Sequence, residues 1–135
     1  MLGVSRFEDL VCWQLADQLR QLVYAETTAG AASKDCKFYD EIRGQSASAT
    51  SRIEAGFNEY LPQHFAEQLR LARTSLVAVH NSAAIGFTRG HFSHATAGRI
   101  QQLCGQSITS TQQLIRRLKK PRVVGTSYPL GRIYP

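Results

Sequence analysis

Acid is what the second half of this chain lacks. Residues 61–135 carry ten Lys/Arg and one acid, Glu67, whereas residues 1–60 carry six Lys/Arg and nine Asp/Glu, for a net charge of +6 over 135 residues. That shortage rules out a di-iron bundle, which needs inward carboxylates and Glu-x-x-His pairs on several helices. No apolar run is long enough to cross a bilayer. The opening MLGVSRFEDL has no apolar core of a signal peptide, so a cytoplasmic protein with no membrane partner is expected. Cysteine is sparse: Cys12, Cys36 and Cys104 are odd in number, far apart and form no C-x-x-C pair. Neither a disulfide framework nor a zinc finger is indicated, and all three are expected as reduced, buried thiols.

Catalytic patterns are missing too. Gly86 and Gly90 match neither a phosphate loop nor a dinucleotide fingerprint. His64 and His80 lie sixteen residues apart, no acidic orienter is expected at hand, and no nucleophile–base–orienter set is visible. His91-x-x-His94 could chelate a metal only on one helical turn; Ser93 as a helix cap would leave His91 outside, so a solvated loop pair is the reading. The expectation is a non-enzyme with no cofactor and no metal.

What is present is helical periodicity. Hydrophobic residues make up 43% of the chain, enough for one domain with a core. Phe65, Leu69, Ala72, Leu76 and Val79 are spaced 4, 3, 4, 3, a heptad seam. Pro62 sits well at the first position of that helix, expected to run to about Ala84, with Gly86 and Gly90 as breakers. A helix is expected from about Phe7 to Thr27, with Val11, Leu15, Leu19 and Leu22 in one stripe. Leu10, Trp13 and Tyr24 project on its far side. Either another part of the chain covers them or they meet a second subunit, and the subunit interface is the sharper reading. Thr28–Lys34 reads as a linker. The next helix should run from near Asp35 to Phe57, burying Ile42, Ala49, Ile53 and Phe57. Its Gly44–Ser51 segment is poor in helix formers but keeps the flanking isoleucines in phase. Ser93 caps the last helix, whose seam is Ile100, Leu103, Cys104, Ile108, Thr111, Leu114, Ile115 and Leu118 and which Pro121 stops. Four amphipathic helices with short connections predict an all-α, up-down-up-down bundle over residues 1–120, followed by a basic tail over 121–135.

Phe7-Glu8-Asp9-Leu10, followed by Trp13-Gln14 and Ala16, resembles the opening of the small bacterial four-helix-bundle proteins encoded in intervening sequences of large-subunit ribosomal RNA genes. Ile42-Arg43, Ser48, Ile53 and Gly56 are similar to that family's second helix, and Phe65, Leu69, Ala72 and Ser75-Leu76 to its third. The resemblance implies a left-handed four-helix bundle that assembles as a homopentamer. The accessory protein of diversity-generating retroelements is similar to the family, and there the barrel binds a reverse transcriptase and nucleic acid. The chain departs from the family where it reads Arg52-Ile53-Glu54-Ala55-Gly56, in place of the usual Asn-Ile-Ala-Glu-Gly.

The basic half leaves binding as the expected role. Arg99 and Arg117 lie eighteen residues apart, five full turns, and so share an azimuth with Gln102, Gln106 and Gln113 nearby. Arginines among uncharged amides suit phosphate contacts. Arg116, Lys119 and Lys120 crowd the end of the same helix, and Arg70 and Arg73 on the preceding helix would add to the field. Sequence-tolerant RNA or DNA binding is the first expectation, and an oligomeric scaffold for an acidic protein partner is the alternative. No aromatics for base stacking lie on that face, which argues against base-specific recognition.

Overall fold

The computed structural model describes residues 3–119, and every regular element among them is helical. A 3-10 turn, Phe7–Asp9, precedes α1 (Val11–Glu26); a single turn, α2 (Ala31–Lys34), leads into α3 (Cys36–Phe57); α4 (Pro62–Thr88) and α5 (His94–Lys119) complete the chain. The expected basic tail lies outside the described residues. Each long helix packs on two others: α1 and α4 each lie between α3 and α5. No helix among the described residues is long and apolar enough to cross a membrane.

The heptad seam of α4 is the centre of the core. Phe65, Leu69, Ala72, Leu76 and Val79 are all fully buried. Removing such side chains from water contributes about 1.5–3 kcal/mol for each of the larger ones. On α3, Phe38, Ile42, Ala49 and Ile53 are buried, while Phe57 is half-buried and stands edge-on to Phe65 with centroids 6.2 Å apart. The Gly44–Ser51 segment is helical throughout. Its buried hydroxyls satisfy themselves locally, Ser46 donating to the Arg43 carbonyl at 3.0 Å and Thr50 to that of Ala47 at 2.9 Å. Ser75 of α4 donates to the Ser48 hydroxyl at 3.2 Å, a contact that small side chains permit.

Four expectations need correction. The first helix does not begin at Phe7: Leu10 is extended, with φ −76° and ψ 129°, and breaks the 3-10 turn from α1. The buried seam of α1 is Cys12, Ala16, Leu19 and Val23; Leu15 and Leu22 are half-buried and Val11 is 59% exposed. The large aliphatics marked a neighbouring stripe, but small residues take the seam, where the Ser107 hydroxyl of α5 donates to the Cys12 carbonyl at 3.3 Å. The linker contains the one-turn α2, which buries Ala32.

The fourth correction concerns Gly86, which does not break α4 but lies within it, buried. Phe92 and Phe38 close on it so tightly that a Cβ there would lie 2.6 Å from Phe92 Cδ2 and 2.9 Å from Phe38 Cζ. Gly90, at φ +79°, makes the actual reversal, and the Gly86 carbonyl accepts from the His91 N–H at 2.7 Å and the Phe92 N–H at 3.2 Å. Ser93 then caps α5, its Oγ accepting from the Thr96 N–H at 3.1 Å. The seam of α5 is buried from Ile100 to Ile115 except for half-buried Ile108; Leu118 is also half-buried, and both pack against the core.

Candidate nucleic-acid interface

Helix α5 turns its apolar seam inward, so the azimuth opposite the seam faces water. Arg99, Gln102, Gln106, Gln113, Arg116, Arg117 and Lys119 are all exposed. Over the eighteen residues from Arg99 to Arg117 the face extends about 27 Å at about 1.5 Å per residue. Between these cations the outward residues are Gln, Gly, Thr and Ser. Gly105, between the two arginines, has nothing within 4 Å of where a Cβ would stand, so the middle of the face is low. An open depression of about 570 Å³ runs along it, lined by Gln102, Gly105, Gln106, Thr109, Ser110 and Gln113, with Val11 of α1 on one side. A second depression, of about 340 Å³, continues from Gln113 and Ser110 to Arg117 and is bounded by Val4, Asp9 and Leu10 of the N-terminal segment. That brings an acid to a face whose own helix has none. Asp9 is exposed and 3.7 Å from Arg6.

The other expected cations sit differently. Arg70 is on α4, half-buried, and donates to Glu67 at 2.9 Å, so the sole acid of the basic half lowers its free charge. Arg73 is half-buried. Lys120 lies outside the described residues. None of Arg99, Arg116, Arg117 and Lys119 has a carboxylate within ion-pair distance among the described residues.

Leu10, Trp13 and Tyr24 are covered to different degrees by their own chain. Leu10 was expected to project away from the core but is only 6% exposed. It precedes the helix, so the 100° per residue rule does not set its direction. Trp13 is half-buried, packs on Phe7 at a 5.3 Å centroid distance, and donates Nε1–H to Glu54 Oε2 at 2.9 Å. Glu54 thus ties α3 to α1. Tyr24 is half-buried under the Arg43 guanidinium, 4.0 Å from its ring centroid; Tyr39 flanks the same guanidinium at 4.5 Å. Arg43 also donates to Thr27 Oγ1 at 3.0 Å. The i, i+4 spacing of Tyr39 and Arg43 was legible in the sequence; the partnership with Tyr24 was not.

A second polar cluster went unforeseen. His91 is not a solvated loop residue: its side chain is 9% exposed, its ring tilted 57° against Phe38 with centroids 4.9 Å apart, and its Nε2 lies 2.9 Å from Asp35 Oδ2. Arg89 reaches the same oxygen at 2.9 Å. Asp35 also caps α3, accepting from the Phe38 N–H at 3.4 Å. The hydrogen bond from His91, then those from Phe38 and Arg89, hold the Asp35 carboxyl below the usual carboxylate range against a smaller opposing effect of desolvation. An ionised carboxylate only accepts, so Nε2 carries the proton and the buried Nδ1 has no partner among the described residues. His94 does not join His91; its ring stands edge-on to Phe87. Among the described residues no group of three or more His, Cys, Asp or Glu could hold a metal ion. Cys12 and Cys104 are buried, and desolvation pushes their thiols up to about 11 and about 12. Cys36, expected to be buried, is exposed because it is the first residue of α3, beside its cap.

Comparison of the chain with protein-family models and with curated proteins finds no match. The functional reading therefore rests on the surface chemistry.

Proposed function

We propose that this chain is a non-enzymatic, oligomeric helical-bundle protein that binds RNA or DNA, tolerant of sequence, through the cations of α5. The observation that carries the reading is that Arg99, Arg116, Arg117 and Lys119 are exposed on a helix without a single acid. Phosphate contacts by such cations release condensed counterions and give affinity without base readout. Lys120 and the residues beyond it extend the same positive charge in sequence. Arg70 and Arg73 contribute to the field as lesser members, because one is paired and both are half-buried. The bundle is read as up-down-up-down, supported by the short connections and by each long helix having two long neighbours, while a left-handed twist is what the family resemblance implies. Assembly as a homopentamer follows the family resemblance, and the position of Trp13 and Tyr24 off the buried seam of α1 supports placing them near the contact. Sedimentation at micromolar concentration tests it, and a clean species at the 15.0 kDa monomer mass would remove it. A cytoplasmic setting accompanies the proposal.

The binding test is a fluorescence anisotropy titration of labelled RNA and DNA over a salt series. The double variant Arg99→Gln, Arg117→Gln should weaken binding alike across sequences and flatten the slope of log K against log salt by about 0.9 per lost duplex-DNA contact, or about 0.7 for single strands. No binding by the parent at low salt would overturn the proposal.

The second reading, a scaffold for an acidic protein partner, is favoured by one observation. Leu71, Val77, Ile85 and Phe87 of α4 are large, apolar and exposed. Tighter binding to an acidic polypeptide than to a nucleic acid of equal charge density would decide for it.

A further inference from the structure

The face of α5 has a shape and a chemistry that discriminate among nucleic acids. Single strands are held largely by stacking bases on aromatic side chains, and the residues lining the two depressions include no aromatic. Duplex DNA is read by a helix that enters the major groove, about 8.5 Å deep. Here α5 cannot lead into such a groove. Val11 lines one of its depressions, and Val4, Asp9 and Leu10 line the other, so the N-terminal segment borders the face where a recognition helix would stand clear. Asp9 would meet phosphate at the wall of a deep groove. The remaining surface is low, uncharged and rich in amides and hydroxyls over its middle, with an arginine at each end. The A-form duplex offers a matching target: its minor groove is wide and shallow and displays 2′-hydroxyls, which donate and accept. Side-chain amides also donate and accept.

Building on the nucleic-acid reading above, we propose that the α5 face takes duplex RNA, with Gln102, Gln106 and Gln113 hydrogen-bonding 2′-hydroxyls across the minor groove while Arg99 and Arg117 hold the flanking phosphates. The amides supply the preference for RNA and the arginines supply affinity common to all nucleic acids.

The test uses the full chain and four probes at one low salt concentration: an RNA duplex, the DNA duplex of the same sequence, the RNA single strand, and the RNA duplex with 2′-O-methyl groups. The RNA duplex should bind about tenfold more tightly than the DNA duplex or the single strand, a difference of about 1.4 kcal/mol. The 2′-O-methyl duplex should fall to the DNA level. The triple variant Gln102→Ala, Gln106→Ala, Gln113→Ala should lose the RNA preference, its affinities for the RNA and DNA duplexes becoming equal. Its fold should persist, because all three positions are exposed and alanine is the better helix former. Equal affinity of the parent for RNA and DNA duplexes, or a 2′-O-methyl duplex that binds as the unmodified one does, would overturn the RNA preference and leave nucleic-acid binding standing. Absence of binding to all four probes would overturn both.

Discussion

Gly86→Ala separates two accounts of the α4–α5 connection. If Gly86 were a breaker at a fraying helix end, alanine there would stabilise the protein by about 0.5–1 kcal/mol through helix propensity. The structure instead buries it in α4 beneath two rings. The new Cβ would lie 2.6 and 2.8 Å from Phe92 Cδ2 and Cε2, and 2.9 Å from Phe38 Cζ. Neither ring has an easy retreat: they stand edge-on to each other with centroids 5.5 Å apart, and Phe38 also packs against the tilted His91 ring. Overpacking of this kind costs about 1–3 kcal/mol. After the propensity gain is subtracted, a net loss of about 1 kcal/mol remains at the middle of the two ranges. Gly98→Ala provides the internal control, because nothing lies within 4 Å of its added methyl. Urea unfolding of both variants should give opposite signs, with the midpoint lower for Gly86→Ala and higher for Gly98→Ala. A Gly86→Ala protein as stable as the parent would refute the close packing described for this corner.

Three further outcomes can be checked with the same material. Leu69→Ala, at a fully buried seam position, should cost about 2–5 kcal/mol by cavity formation, measured by urea unfolding; a parent-like midpoint would mean that the seam is misassigned. Asp35 has a folded pKa lowered from 3.8, so its contribution to stability is present above that value and is lost as pH falls below about 4 through the folded value. Asp35→Asn should therefore be less stable than the parent at neutral pH, with the gap closing in acid; a gap constant with pH would contradict the linkage. In native protein, iodoacetamide followed by mass mapping should label Cys36, while Cys12 and Cys104 react only after unfolding, since both are buried with raised pKa values. Equal labelling of all three would place the buried pair wrongly.

The sequence signals that held were those set by one helix's own period. The seam of α4, the phase of α3 through Gly44–Ser51 and the Ser93 cap each depend on residues within a few turns of one another. The solvent-facing azimuth of α5 was legible for the same reason. What failed depended on partners distant in sequence. Leu10 turns inward because it lies before α1 rather than in it. Gly86 is small because Phe38, forty-eight residues earlier, comes down on it. His91 found its acid in Asp35, fifty-six residues away, and no local pattern announces that pair. Asp9 likewise joins the α5 face only through the packing of the N-terminal segment.

The bond from Ser107 to the Cys12 carbonyl has a consequence for the order in which the chain acquires its structure. It spans ninety-five residues, and among the described residues α1 packs chiefly on α3 and α5. The α3–α4 and α4–α5 contacts, by contrast, join helices adjacent in the chain, and such local contacts form early. During synthesis α1 emerges before α5 and so cannot complete its packing until α5 has left the ribosome. Until then the side of α1 bearing Cys12, Ala16, Leu19 and Val23 is incompletely covered, and this is the interval in which the chain is most open to association with another copy or with a chaperone.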